Sequence, residues 1–182
     1  MLLFYKGDIM NIFASFECPV KSAHYLDDKR LIKMILESAQ MLSTTINLNG
    51  YVGLYRITHI NHPCTIWVRT SRWNYMWLVK HFKALCEEYT ARYLKIHKCE
   101  QYTQLFETKA TLIPDIPSVG FPNCTTFKHI NNTHEAYRMY LNEKWTNDKR
   151  PATCKVTYGQ DKRSLRSRKK CVDFPKSLNN IL

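Results

Sequence analysis

The chain has 182 residues, 45% of them apolar, with 11 Tyr, 8 Phe and 4 Trp. That suits one folded domain with a real core and excludes a disordered chain. Twenty-seven Lys and Arg against 15 Asp and Glu leave a net charge of +12. Such a surface calls for a polyanionic partner, nucleic acid before an anionic membrane surface. The seven Cys are scattered, with no CxxC pair, and read as reduced thiols of a cytoplasmic protein. No apolar run approaches the ~20 residues of a membrane span. The first residues lack the charge order of a signal peptide.

Lys6 to Met10 can be encoded by codons that place a purine-rich ribosome-binding sequence just before an ATG. Residues 1–9 are therefore expected to be translated leader, with the start at Met10. Intact mass of natively expressed protein tests this. From Met10, MNIFASF reads as an extended apolar run, and Cys18-Pro19 breaks it. Pro19 suits a first helical turn, and a short helix is expected over Val20 to Leu26.

Leu26 to Thr45 is the strongest helix. Leu31, Met34, Ile35, Met41 and Leu42 recur at helical spacing, with no Gly or Pro inside. Asp27 or Asp28 is the expected cap. Arg30, Lys33, Glu37 and Gln40 step by three or four and share one face. A lone carboxylate among cations is either an ion pair on a solvated face or a catalytic acid beside its phosphate-holding bases. Asn47 to Gly50 stops this helix.

A loop with His59, Asn61 and His62 follows. A second long helix is expected from Thr65 to about His97, its aromatic residues mainly core. Glu100 to Thr133, with three Pro and Gly120, reads as a long irregular loop. A third helix is expected from Thr133 to Lys144, capped by Thr133. Lys144 to Lys170 then holds ten Lys and Arg against two Asp. The expected organisation is a domain over residues 10–160 and a basic tail over 161–182.

His59, His62 and Cys64, with His97 and Cys99, are the candidates for a metal site. Paired ligand spacing is missing, so no metal is expected. No GxGxxG or P-loop is present, so no nucleotide cofactor is expected. There is no GxSxG elbow, and nothing local supports a Cys–His nucleophile. A carboxylate, a basic surface and a free amine remain. A base-excising enzyme needs these: it flips a nucleotide, stabilises charge developing on the sugar and attacks C1′.

The segment from Asp28 to Glu37 resembles the first helix of the pyrimidine-dimer DNA glycosylases with AP-lyase activity, of the phage endonuclease V type. Asp28, Arg30 and Glu37 fall on that family's Asp, His and catalytic Glu. His62-Pro63-Cys64-Thr65-Ile66-Trp67 is similar to the His that opens its aromatic-rich helix. Arg150 to Gly159 is similar to its C-terminal RPTWYKYYGK-like segment, with Cys154 and Lys155 in place of the aromatic pair. The start also resembles phage proteins beginning MNIF with an NHPC motif.

The resemblance implies an all-α single domain of three main helices, no cofactor, and Glu37 as the catalytic carboxylate. It implies that the nucleophile is the α-amine of the processed chain, that of Met10 or of Asn11. Two family arginines fall on Leu36 and Gln40. Lys29, Arg30, Lys33, Gln40, His62, Arg69, Arg150, Lys155 and Tyr158 are the expected contacts to double-stranded DNA. A monomer in the bacterial host cytoplasm is expected. Two rival readings are an enzyme acting on a modified base or nucleotide, and a DNA-binding protein without catalysis.

Overall fold

A computed structural model describes residues 10–149 and 152–154. The leader over 1–9, the 160/161 boundary and the basic tail over 161–182 lie outside the described residues. Within them the chain is all-helical, as expected: α1 (Pro19–His24), α2 (Asp28–Leu48), α3 (Pro63–Thr70), α4 (Arg72–Tyr93), α5 (Thr103–Thr108) and α6 (Thr133–Asn147). Two 3-10 turns, Lys98–Tyr102 and Lys109–Leu112, flank α5. No helix there is long and apolar enough to cross a membrane.

α2 buries Leu31, Met34, Ile35, Met41 and Leu42, the positions its periodicity assigns to the core. α4 packs against α1, α2 and α3. The extended run at the N-terminus belongs to the same core, with Met10, Ile12, Phe13 and Ala14 all buried.

Four expectations are corrected. The long second helix is two, broken at Ser71, whose backbone is extended at φ −141° and ψ 140°. Its Oγ accepts from Trp73 N–H and donates to the Ile116 carbonyl, so a tertiary bond rewards the break. Helical spacing of aromatic residues continues across Ser71, which hid the break. The helix also ends at Tyr93, not His97: Leu94 takes the left-handed conformation at φ 54°. The expected 100–133 loop is helical as far as Leu112, and only the stretch from there to α6 is irregular. Asn132, not Thr133, caps α6, accepting from Glu135 N–H at 3.1 Å.

Asp27 takes the N-cap position of α2, as expected, although its side chain makes no cap bond. Asp27 accepts from Arg30 Nη1 at 2.9 Å and from Trp145 Nε1 at 3.0 Å. Asp28 accepts from Arg92 Nη1 at 3.2 Å and from Thr153 Oγ1 at 2.8 Å, and its N–H donates to the Thr153 carbonyl. The segment 152–154 is thereby tied to the start of α2.

Arg92 is buried and also reaches Glu88 Oε1 at 2.9 Å and the Leu26 carbonyl. Removing one partner of a buried ionic cluster strands the others without water. Arg92→Met is therefore expected to cost about 3–5 kcal/mol in urea unfolding, because two buried carboxylates lose their cation. A change under about 1 kcal/mol would place this cluster in the class of weak exposed pairs.

His81 is wholly buried in α4, its Nδ1 2.8 Å from the Pro19 carbonyl. Burial pushes its pKa down to about 4, so the folded protein holds it neutral. The unfolded chain takes up a proton near pH 6.5. Between pH 6.5 and 4 the unfolded state therefore binds more protons, and stability falls as pH falls. Above pH 6.5 the contribution is fully present. His81→Gln is expected to flatten the urea midpoint against pH in that window; an unchanged slope would remove His81 as its source.

Candidate active site

Glu37 projects from the middle of α2 and is buried. The N-terminal segment, not solvent, covers it. Glu37 Oε2 accepts from the backbone N–H of Asn11 at 2.8 Å, and Oε1 lies 3.4 Å from Lys33 Nζ. The Lys33 pair follows from i, i+4 spacing. The Asn11 bond spans 26 positions and was not legible from spacing.

The segment carrying that nitrogen is held from several sides. Asn11 Oδ1 accepts from the N–H groups of Ile12 at 2.8 Å and Phe13 at 3.0 Å, a local side-chain turn. Phe13 sits at φ 42°, a strained value for a residue with a Cβ. Thr65 Oγ1 donates to Met10 Sδ at 3.7 Å. From α6, His134 Nδ1 meets the Ala14 carbonyl and Arg138 Nη1 donates to the Ser15 carbonyl, both at 2.7 Å. These α6 residues position the segment. They carried no sequence signal, because their partners are main-chain carbonyls.

Met10 and Asn11, the two expected amine donors, are both buried beside Glu37 and Thr65. The atom in contact with the carboxylate is the nitrogen of residue 11. As a peptide nitrogen it is not nucleophilic. As the first atom of a chain begun at Asn11 it is an α-amine, with an ordinary pKa of about 7.7–8.0. Its neutral form is then appreciable near pH 7.

The expected DNA contacts separate into three groups. Lys29 is exposed, with Nζ 3.2 Å from Asp148 Oδ1; Lys33, Gln40, His62 and Arg69 are half-buried. Arg69 Nη1 donates to the Ile60 carbonyl at 2.5 Å. Arg30 departs from expectation. It is buried between Asp27 and Asp148, 2.9 Å from each, so its guanidinium ties α2 to the end of α6. Arg150, Lys155 and Tyr158 lie outside the described residues.

His62 caps α3, its Nδ1 accepting from Cys64 N–H at 3.2 Å. Burial and, second, the neighbouring His59 hold its pKa below the usual histidine value, so it is neutral at pH 7. Of the other metal candidates, His59 neighbours His62 but is exposed and bonds Thr58, and His97 caps the turn that contains Cys99.

The family model of pyrimidine dimer DNA glycosylase matches residues 10–101, half of the chain. The match contains Asn11, Glu37 and His62 and runs from the N-terminal segment through α4. No curated protein and no solved structure matches the chain.

Proposed function

Because the chain belongs to the pyrimidine dimer DNA glycosylase family, we propose that it excises pyrimidine dimers from duplex DNA and that Glu37 is its catalytic carboxylate. The observation that carries this reading is the buried 2.8 Å contact between Glu37 Oε2 and the nitrogen of Asn11. It pairs the acid with the atom from which an N-terminal amine would act.

The reaction needs the damaged nucleotide turned out of the duplex. The amine of residue 11 bonds to C1′ as the C1′–N bond to the base breaks and the base departs. Glu37 stabilises the positive charge that develops on the sugar and stays beside the resulting adduct. Ring opening gives an imine; loss of a C2′ proton then expels the 3′ phosphate by β-elimination. Where the amine is masked, a water in its place breaks the same C1′–N bond without strand cleavage, the detached base staying joined to its dimer partner. Lys29, Lys33, Gln40, His62 and Arg69 supply the near surface. Arg150, Lys155, Tyr158 and the basic tail supply further DNA contacts in this reading. The net charge of +12 supports a duplex partner and predicts affinity that falls steeply with salt.

The direct test is a duplex carrying one site-specific cyclobutane pyrimidine dimer, compared with its undamaged twin and with a duplex of modified bases. Release or incision only at the dimer is expected. Activity confined to the modified bases would move the substrate and keep the chemistry. Tight, salt-sensitive binding to all three without product would leave a binding protein.

A further inference from the structure

His62, Cys64 and Cys124 meet beside the N-terminal segment. Cys64 lies in the first turn of α3 and Cys124 in the irregular stretch before α6, yet their sulfurs are 3.6 Å apart and both thiols are free. One ligand atom from each of the three residues lies within 4.8 Å of the other two. We propose that His62, Cys64 and Cys124 form a binding site for a thiophilic divalent cation of the zinc class.

The dimensions suit that ion. Two sulfurs bound at about 2.3 Å in a tetrahedron sit about 3.8 Å apart, close to the separation found. The imidazole has to close in by about an ångström, a small move for a half-buried ring whose present bond is a long cap. A Cys2His set leaves a fourth position open for water or another donor.

The site adjoins the N-terminal segment: the next residue of α3 after Cys64, Thr65, touches Met10. A bound ion would pin the start of α3 and the stretch around Cys124 against the segment that delivers residue 11. This proposal stands on the ligand geometry and does not depend on the glycosylase reading.

Cobalt(II) titration of the full, freshly reduced chain tests it. Stoichiometric binding with an intense thiolate-to-cobalt charge-transfer band is expected, and zinc should bleach it. Cys64→Ser and Cys124→Ser should each abolish or strongly weaken the band. Cys86→Ser, at a buried thiol elsewhere, should retain it. Alkylation of the wild-type chain gives a readout that needs no variant: zinc should protect Cys64 and Cys124 selectively, leaving the other cysteines unchanged. No charge-transfer band in reduced wild type, a band that survives Cys124→Ser in folded protein, or protection no greater than at the other cysteines would each overturn the site.

Discussion

Glu37→Gln is expected to lower turnover on dimer-containing DNA by about a thousandfold and leave duplex affinity within a few-fold. The substitution removes a charge and almost no volume. Its amide oxygen can still accept from the Asn11 nitrogen, so the covering segment stays in place. What disappears is the negative charge facing the sugar as the base departs. Such preorganised electrostatic contacts are worth about 10²–10³ in kcat when removed singly, and more where they also hold an adduct. DNA affinity rests on the cations and should hold or rise slightly, since Lys33 loses its partner carboxylate at 3.4 Å. Single-turnover formation of the abasic site at the dimer, read beside a binding isotherm at the same salt, separates the two effects. Activity within tenfold of wild type would remove Glu37 from the chemistry and leave its contact with Asn11 a structural bond.

Protein whose first residue is Asn11 is expected to form a borohydride-trapped covalent adduct with dimer-containing DNA, and protein beginning at Met10 is expected to yield far less. The nitrogen beside Glu37 belongs to residue 11. In a chain begun at Met10 it is an amide, and the free amine lies one residue further along. Misplacing a reacting atom by even about 1 Å costs on the order of a hundredfold in such reactions, and a whole residue displaces it by several. Asn at the second position ordinarily leaves the initiator Met in place, so the Asn11 chain is best made by scarless cleavage of a fusion. Peptide mapping of the reduced adduct identifies the amine. Stronger trapping from the Met10 chain, with the adduct on Met10, would assign the nucleophile to Met10. Base release without any adduct would make the enzyme a monofunctional glycosylase.

The metal candidates show how far local spacing reaches. His62 and Cys64 are two residues apart and legible as potential ligands. The third member, Cys124, lies 60 positions on in a stretch without regular structure. Nothing in its own surroundings marks it as their partner. His59, His97 and Cys99 looked as good in one dimension and are turned elsewhere by helix caps and neighbouring hydroxyls.

Arg30 and Glu37 carry the same lesson in opposite directions. Both were placed on one face of α2 by their spacing, and both are there. Read as a solvated stripe, that face would have held an exposed ion pair. The fold instead lays the N-terminal run over Glu37 and brings Asp148, 118 positions away, onto Arg30. One becomes a buried acid against a main-chain nitrogen, the other a structural cation.

Helix content, the long core face of α2, the shared face of Lys33 and Glu37 and the strongly positive net charge were determined by the sequence alone. Each depends on residues within a few turns of one another or on summed charge, and these are local or additive properties. The break at Ser71, the burial of Glu37, the atom it touches and the meeting of His62, Cys64 and Cys124 were decided only by tertiary structure. Each depends on which main-chain atoms and side chains the packed helices bring together from distant positions. Periodicity states which side of a helix is covered, and packing alone decides what covers it.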